Sequence, residues 1–389
     1  MSEIKTETAS TDPKPRVLIF RNELLPASET FIRAQAGALQ SFEPHFAAVH
    51  AALNPLRLNP LPLLLDTSSS LAGKLRRRIF WSSSFAPAFF RELKRLHPAL
   101  IHAHFAVDGA AALPIAEHLR IPLVVTLHGY DVTSSDRALS NSVEGRLYLR
   151  RRERLWKQAS TFLCVSRFIR DQAIAKGFPR EKLQILYTGT DLSLFTESNA
   201  PRDPNLIVFV GRLVEKKGMR HLLDALEIVR EHHPAAHVVC IGTGPLEAEL
   251  RQRVTASSLP CIFLGAQPQD VVKRTLAQAR IFCAPSVTAA SGDSEGLGMV
   301  FAEAQAMGTP VVSFHHGGIP EVVLDGRTGL LAPEGDSAAL AQRMLSLLKN
   351  EACWQRFSGC GRQYVRKNFD IAQQTLELEH TYYRVLHTP

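Results

Sequence analysis

The chain has 389 residues, of which 45% are apolar and 21% charged, and this composition predicts a globular protein of two domains rather than a disordered chain. Its net charge of +8 indicates an anionic partner, which could be nucleic acid, an anionic membrane surface or a phosphate-bearing substrate. The sequence contains no nucleic-acid-binding motif and no uninterrupted apolar run of about 18 residues, so we expect neither a nucleic-acid partner nor a transmembrane helix.

The chain begins with a polar segment, residues 1–14, that lacks the apolar core of a secretion signal and is expected to be a disordered tail. Arg16–Phe20 then predicts the first strand. Ser28, with Glu29 beside it, is a candidate N-cap of the next helix. This loop is either a ligand-binding loop or a simple helix cap.

Two later strands of the first half end in polar residues. Ala99–Ala106 carries His102 and His104, and Pro122–Leu127 runs into His128-Gly129-Tyr130-Asp131. Open α/β sheets bind ligands at the carboxyl ends of their parallel strands, so His128 and Asp131 are candidate site residues. His102 and His104 are interpreted as packing and hydrogen-bonding side chains.

Two segments of the first half are strongly basic. Lys74–Arg78 precedes Phe80 and Trp81, and the predicted helix Arg146–Lys157 carries a basic stripe. Such segments are either solvated protein surface or docking sites for anionic lipid head groups.

The second half begins after a polar segment, 197–205, that is expected to link the domains. Leu206–Val210 predicts a strand, and the loop after it contains Gly211, Arg212 and Lys217. Both cations could converge on a diphosphate, although such a loop can also be an ordinary charged surface. A further strand ends in a glycine turn with Gly242 and Gly244, which lacks the acidic partner of a dinucleotide fingerprint.

The stretch Ser294–Glu303 is the most informative one. Glu295 and Glu303 are separated by seven residues, after an apolar strand and at the start of a predicted helix. The amides of that helix start could bind a phosphate, and its glycines permit close approach of a ligand. The alternative interpretation is two glutamates on a solvated helix face. The candidate ligand-binding residues here are Gly296, Leu297, Gly298, Met299, Val300 and Glu303.

The six cysteines are scattered, have no Cys-x-x-Cys spacing and lie mostly in apolar strand-like runs. This pattern is typical of reduced thiols in a cytoplasmic protein, and it indicates neither a zinc site nor a disulfide framework.

The stretch Ser294–Glu303 resembles the signature of retaining family-4 glycosyltransferases with the GT-B fold. The resemblance continues to Gly317-Gly318-Ile319-Pro320-Glu321, and the loop with Arg212 and Lys217 resembles the family's donor-phosphate motif. The first loop reads Ser-Glu-Thr-Phe-Ile from Ser28, where relatives often carry a glycine pair. This variant resembles the exopolysaccharide and colanic-acid branch of the family.

The resemblance implies an α/β protein of two Rossmann-like, doubly wound domains that face each other across a cleft. Residues 15–195 would form the acceptor-side domain and residues 196–370 the nucleotide-sugar domain. A last helix, 371–386, would return to the first domain.

The implied reaction is transfer of a hexosyl group from a nucleotide-diphosphate sugar, most often a uridine one, to a hydroxyl of a glycan or polyprenyl-linked acceptor. The resemblance assigns His128, Arg212, Lys217 and Glu295 to catalysis and Glu303 to the ribose. It assigns donor binding, besides Glu303, to Gly211, Gly242, Gly244, Gly296, Leu297, Gly298, Met299 and Val300. Acceptor binding would involve Ser28, Glu29 and Asp131. The sequence has no Asp-x-Asp motif, so we expect neither a metal nor another cofactor. The expected location is the cytoplasm, with the inner face of the cytoplasmic membrane as the docking surface.

Three alternatives remain open at this point. A nucleotide-sugar epimerase shares the architecture, and a non-catalytic nucleotide-sugar-binding assembly subunit could retain the binding residues. A glycogen-type phosphorylase would require a pyridoxal lysine in a much longer chain. Release of nucleoside diphosphate without acceptor separates an enzyme from a pure binder.

Overall fold

The computed structural model describes residues 13–26, 29–53, 55–67, 70–196 and 201–387. Within these ranges the first sheet has seven parallel strands in the order β3-β2-β1-β4-β5-β6-β7. Its strands are β1 (Arg16–Leu24), β2 (Glu43–Ala51), β3 (Leu63–Asp66), β4 (Pro98–His104), β5 (Leu123–Leu127), β6 (Thr161–Cys164) and β7 (Leu183–Ile185). Its helices are α1 (Thr30–Gly37), α2 (Leu71–Ser83), α3 (Pro87–Arg95), α4 (Ala106–Leu119), α5 (Tyr130–Thr133), α6 (Asp136–Leu139), α7 (Val143–Gln158) and α8 (Arg167–Lys176).

The second sheet has six parallel strands among the described residues, in the order β10-β9-β8-β11-β12-β13. Its strands are β8 (Leu206–Val210), β9 (His237–Ile241), β10 (Cys261–Phe263), β11 (Ile281–Cys283), β12 (Val311–Phe314) and β13 (Gly329–Ala332). The helices of this half are α9 (Met219–His232), α10 (Glu247–Ala256), α11 (Gln269–Gln278), α12 (Met299–Ala306), α13 (Ile319–Val322), α14 (Ser337–Lys349), α15 (Glu351–Asn368) and α16 (Ile371–His387).

Two parallel sheets with helices between most successive strands confirm the predicted α/β fold of two Rossmann-like domains. The strands at the sheet centres are continuous apolar runs because helices cover both faces of a parallel sheet. All five residues of β5 are buried, for example.

Each sheet reverses its strand order once. In the first sheet the chain runs outward from β1 to β3 and then continues on the other side of β1 from β4. In the second sheet the corresponding junction lies between β8 and β11. Loops that follow the strands on either side of such a junction diverge and leave a crevice, where open α/β sheets bind ligands. The loops with Arg212 and Glu295 are the ones that flank the second junction.

The last helix, α16, packs against the first domain. The Glu379 carboxylate accepts hydrogen bonds from the amides of Gln40 (2.7 Å) and Ser41 (2.6 Å). The chain crosses between the domains where Thr190 and Phe369 pair through their backbones (2.7 Å). The exact domain boundaries stay a prediction, since part of the linker, residues 197–200, lies outside the described residues.

Candidate active site

The crevice of the second domain is formed by two loops that pack closely. The Val287 amide donates to the Lys216 carbonyl (2.8 Å), and Gly218 has a positive φ of 68°. A Cβ on Gly218 would lie 1.7 Å from the Pro285 carbonyl oxygen, so a glycine is required for this approach. The consequence is an ion pair between Lys217 Nζ and Glu295 Oε2 at 2.5 Å.

Glu295 is held by its backbone as well as by its side chain. Its amide donates to His316 Nε2 (3.2 Å), its carbonyl accepts from the Gly318 amide (3.0 Å), and Ser286 Oγ donates to its carboxylate (3.3 Å). Burial alone would raise the pKa of Glu295, but the charges of Lys217 and Lys216 outweigh it and lower the pKa to about 2. The carboxylate is therefore ionised at neutral pH.

His316 is a supporting residue that the sequence did not single out. Its Nε2 accepts from the Glu295 amide, so Nδ1 carries the proton and donates to Glu334 Oε2 (2.9 Å). Glu334 also accepts from the Thr288 amide (2.6 Å), which ties three loops of the second domain together.

The N-terminus of α12 is open to a ligand. Gly298 precedes the helix with a φ of 82°, provides no side-chain cap, and the first turn carries no acidic residue. The first-turn amides, near Met299 and Val300, therefore keep their capacity to bind an anion. Arg212, an exposed side chain, has no hydrogen-bond or ion-pair partner among the described residues.

Glu303 lies on α12, one turn from this N-terminus, and is half-buried. Its carboxylate makes no hydrogen bond within the described part of the chain. Burial raises its pKa to about 7. Glu295 and Glu303 are close in sequence but have opposite environments. Glu295 is paired with Lys217, whereas the carboxylate of Glu303 is available to hydroxyl groups.

The predicted donor-binding glycines have another explanation in the structure. A Cβ on Gly242 would lie 1.9 Å from the carbonyl oxygen of Gly211, and a Cβ on Gly244 would lie 2.4 Å from the carbonyl oxygen of Leu213. These two glycines let the turn after β9 pack against the loop that carries Arg212. This packing explains the glycines without any contact between them and a donor. Leu297 is also buried, with 3% of its surface exposed, so only its backbone could face a donor.

The first domain contributes His128 to the opposite wall. Its side chain is half-buried after β5, and a Cβ on Gly296 would lie 1.9 Å from the His128 carbonyl oxygen. The loop with Glu295 thus touches the end of β5, and the structure brings His128 to the predicted glutamate stretch. Burial, with Arg21 and His102 adding to it, holds the pKa of His128 well below its usual range, so the ring is neutral.

Asp131 does not fit the acceptor-binding role that the sequence suggested. It is buried, and its oxygens accept hydrogen bonds from the amides of Ala106 (2.8 Å), Gly129 (2.9 Å) and His128 (3.3 Å). Burial raises the pKa of Asp131 to about 6 even though these amides favour the charged form. Its role in this geometry is to hold the turn that carries His128.

Glu29 is likewise occupied. Both of its oxygens accept from Arg21, at 3.0 and 2.5 Å, and Arg21 also pairs with Asp108. The Arg21 guanidinium stacks on the Phe105 ring at 4.5 Å. Glu29 therefore belongs to a buried charge cluster beneath the cleft, rather than presenting a free carboxylate to an acceptor. Ser28, the other predicted acceptor residue of this loop, lies outside the described residues.

A second inter-domain contact was missed from the sequence. The Glu321 carboxylate, on α13, accepts from the amides of Arg167 (2.9 Å) and Phe168 (3.0 Å) in the first turn of α8. Ser166 Oγ donates to the Gly296 carbonyl (2.6 Å). The only signal in the sequence was the position of Ser166 at a strand end and of Glu321 in a glycine- and proline-containing motif. These contacts fix the orientation of the two domains around the cleft.

Comparisons with known proteins identify the family of this chain. The family model described as Glycosyltransferase Family 4 matches residues 20–194, and the model described as Glycosyl transferases group 1 matches residues 204–350. TuaC of Bacillus subtilis (strain 168), a putative teichuronic acid biosynthesis glycosyltransferase, is 30% identical over 319 residues, which cover 78% of this chain and 75% of TuaC. The chain belongs to glycosyltransferase family 4.

Other members of the family are more similar over a shorter segment. The amylovoran biosynthesis glycosyltransferase AmsK of Erwinia amylovora is 37% identical over 255 residues, which cover 64% of this chain and 61% of AmsK. The putative colanic acid biosynthesis glycosyltransferase WcaL of Escherichia coli (strain K12) is 35% identical over 248 residues, with coverages of 62% and 59%. This family-4 chain thus aligns with about six-tenths of the length of these two relatives.

Solved structures show the same fold. Anabaena HepE in complex with UDP and glucose superposes with a TM-score of 0.75 at 19% identity, over 95% of this chain and 100% of that one. Sucrose-phosphate synthase from Thermosynechococcus elongatus gives a TM-score of 0.76 at 19% identity, over 96% and 99% of the two chains. The family-4 chain therefore has the GT-B fold that its sequence predicted.

Proposed function

We propose that this protein is a retaining hexosyltransferase that uses a nucleotide-diphosphate sugar, with uridine as the expected base. The acceptor in this proposal is a hydroxyl of a glycan or polyprenyl-linked intermediate of exopolysaccharide assembly. The observation that carries the proposal is the Lys217–Glu295 ion pair beside the open N-terminus of α12. The side chains of Arg212 and Glu303 lie next to it without a hydrogen-bond or ion-pair partner in the described part of the chain. The names of AmsK and WcaL support the exopolysaccharide assignment.

The donor's diphosphate would lie between Arg212, Lys217 and the first amides of α12. Breaking the glycosyl–phosphate bond moves an electron pair onto the diphosphate, and the two cations and the helix N-terminus stabilise that charge. Arg212 can give forked contacts to phosphate oxygens, whereas Lys217 acts as a point charge. These groups supply positive charge without a metal, so the proposal needs no divalent ion and no other cofactor.

The sugar would lie between Glu295 and His128. The ionised Glu295 carboxylate accepts hydrogen bonds from sugar hydroxyls while it stays paired with Lys217. The neutral His128 ring faces the sugar from the first domain as a hydrogen-bonding group. In the proposed retaining step the acceptor oxygen attacks C1 on the face from which the diphosphate departs. The departing phosphate oxygen takes the acceptor proton.

A product assay separates this function from its alternatives. The purified protein is incubated with UDP-sugars, and released UDP is measured with and without a lipid-linked or oligosaccharide acceptor. UDP release together with an α-linked product from an α-linked donor supports the proposal. An epimerised UDP-sugar without UDP release would indicate an epimerase, and binding without turnover would indicate an assembly subunit.

Replacing Glu295 with glutamine is expected to lower kcat by about 10- to 100-fold, because hydrogen bonds to charged groups contribute about 1.5–3 kcal/mol. The affinity for free UDP should stay equal or increase, since the substitution removes a competitor for Lys217. Turnover and UDP titrations measure the two effects separately. The matched control is Asp293→Asn, because Asp293 pairs with Lys216 at 2.9 Å in the same two loops. Equal losses of kcat in both variants would contradict a specific role for Glu295.

The membrane surface is the second part of the proposed function. The exposed face of α2 carries Leu71, Leu75 and Ile79, which are 83%, 59% and 38% exposed. Residues four apart lie on one side of a helix, so these side chains form one apolar stripe. Lys74, Arg76 and Arg78 are exposed beside it. An apolar stripe flanked by cations is the composition of a helix that lies in the head-group region of an anionic bilayer.

The structure changes which residues of this segment would face lipid. Phe80, a suggested lipid contact, is 1% exposed and belongs to the core, and Trp81 is half-buried. Arg77 pairs with the buried Asp66 (3.1 Å). The basic helix α7 lies next to α2, because Arg151 donates to Ser84 Oγ (2.8 Å). No helix within the described ranges is long and apolar enough to cross a membrane.

Reversing both Arg76 and Arg78 to glutamate is expected to abolish sedimentation with phosphatidylglycerol vesicles and to leave donor hydrolysis unchanged. Each basic residue near an anionic surface contributes about 1 kcal/mol, screened over a Debye length of about 8–10 Å. A charge-matched control reverses Arg366 and Lys367, which are exposed on α15 of the second domain. If the wild-type protein does not sediment with these vesicles at low salt, the basic segments are ordinary solvated surface.

A further inference from the structure

Behind His128, the first domain contains a column of buried side chains that the proposed chemistry does not use. His104, at the end of β4, is 1% exposed, and its Nδ1 lies 3.0 Å from Nε2 of His128. The His104 ring stacks on that of His102 with centroids 4.3 Å apart. The three imidazoles therefore run from the cleft into the core of the sheet.

The inner end of this column is fixed on both sides. His102 Nδ1 lies 2.6 Å from the Tyr382 hydroxyl, and its Nε2 lies 2.7 Å from Thr126 Oγ1. Tyr382 is a fully buried residue of α16, the helix that returns from the second domain. The column thus connects the packing of the returning helix to the side chain at the cleft.

The outer end is constrained by its surroundings. Phe105 directly follows His104 and adopts a φ of 73°, a conformation that bulky residues rarely adopt and that persists only where the surrounding structure imposes it. This backbone places the centroid of the Phe105 ring 4.6 Å from that of the His128 ring, and the centroid of the Phe31 ring lies 5.1 Å from that of His128. Two phenyl rings and one hydrogen bond therefore determine how the imidazole of His128 is oriented.

We propose that His104 is a positioning residue for the transfer reaction: its hydrogen bond to Nε2 fixes the ring and the tautomer of His128, so that Nδ1 is the nitrogen presented to the sugar. This inference rests on the proposed role of His128. A hydrogen bond between two neutral imidazoles contains one proton, so it couples the tautomers of the two rings. Nδ1 of His128 has no hydrogen-bond partner among the described residues, which leaves it to a ligand.

The column explains why a histidine, rather than an apolar residue, occupies position 104. Burial and the neighbouring rings hold the pKa of His104 well below its usual range, so it does not act as a cation. Besides packing, His104 supplies one ring nitrogen within hydrogen-bonding distance of Nε2 of His128. An orienting group of this kind increases the rate by holding a reactive or binding group in the productive geometry.

The experiment combines ring NMR with kinetics on the full-length protein. The chain has 15 histidines, so protein labelled with ¹⁵N-histidine gives a tractable set of ring signals, and His128→Gln assigns the one of interest. Three variants are compared: His104→Phe keeps an aromatic ring without the nitrogen, His104→Asn places an amide where Nδ1 lies, and Tyr382→Phe removes the hydroxyl that fixes His102. Thermal unfolding of each variant reports whether it folds.

In wild-type protein, His128 is expected to show a single tautomer. His104→Phe should mix the tautomers and lower kcat by about 10- to 100-fold with an unchanged KM for the donor. His104→Asn should restore most of kcat and the single tautomer. Tyr382→Phe should have a smaller effect in the same direction, and it tests the column even if His104→Phe does not fold.

The outcomes distinguish this inference from the proposed function. If His128→Gln lowers kcat but His104→Phe keeps both full activity and a single tautomer, His104 is only a packing residue and the inference is overturned. If His128→Gln itself is fully active, the role assigned to His128 under the proposed function is wrong. Equal loss of activity in His104→Phe and His104→Asn, with an unchanged His128 spectrum, would also overturn the positioning role.

Discussion

Replacing Arg212 or Lys217 with alanine is expected to lower kcat by about 100-fold or more, since removal of one group that stabilises developing charge costs about 3–4 kcal/mol. Arg212 is exposed and has no partner among the described residues, so its loss should not alter the fold. Lys217 differs, because its removal also leaves the buried Glu295 without its ion-pair partner. Its variant should therefore lose activity and some thermal stability.

Lys216→Ala is the matched control for both variants. Lys216 neighbours Lys217 in sequence but pairs with Asp293 instead of Glu295. Because Lys216 faces Asp293 and is not placed at the diphosphate, its loss should lower kcat less than the loss of Lys217, although its charge also helps to lower the pKa of Glu295. UDP release measures kcat, and thermal unfolding verifies the fold. Folded Arg212→Ala or Lys217→Ala protein with wild-type turnover would refute the placement of the diphosphate.

The features that the sequence predicted are those encoded locally. The strand before Ser294–Glu303, its glycines and the helix after it occur in one continuous stretch, and the structure has α12 there from Met299. The central strands β5 and β8 were also evident, because their apolar runs reflect burial on both faces. Strand β2 has only a short apolar run, Phe46–Val49, between Pro44-His45 and His50, and it was missed together with the short edge strand β3.

The roles that the sequence could not determine depend on partners distant in the chain. Whether Glu29 and Asp131 are available to an acceptor depends on Arg21 and on the Ala106 amide, and no local pattern reveals these contacts. The same holds for Gly242, whose close neighbour is the carbonyl of Gly211. Residue type and strand-end position indicate a site, but they do not distinguish a binding residue from one that supports it.

The α2 segment shows a different reason for error. Its basic residues and aromatic residues are adjacent in sequence, and this suggested that Phe80 and Trp81 face the same surface as the arginines. Adjacent residues on a helix point about 100° apart, so Phe80 is directed into the core while Ile79 is exposed. Helical periodicity applied to residues 71–83 would have identified the apolar stripe of Leu71, Leu75 and Ile79.

Replacing Glu303 with glutamine is expected to weaken binding of free UDP by about 10- to 100-fold at pH 8. The proposed ligands of this carboxylate are ribose hydroxyls, which remain when the sugar is absent, and hydrogen bonds to a charged acceptor contribute about 1.5–3 kcal/mol. Isothermal titration with UDP measures the effect. Glu295→Gln provides the contrast, since its carboxylate is expected to contact only the sugar.

The pH dependence of UDP binding gives a second, independent test of the same role. Burial raises the pKa of Glu303 to about 7, so lowering the pH through 7 protonates the carboxylate in the free protein. If UDP binds the ionised form, wild-type affinity falls by about tenfold between pH 8 and pH 6 because the proton must first be released. UDP itself titrates in this range, but the ratio of the dissociation constants of Glu303→Gln and wild type cancels that contribution. The ratio should be largest at pH 8 and decrease toward pH 6, whereas a ratio near one at all pH values would rule out a ribose contact at Glu303.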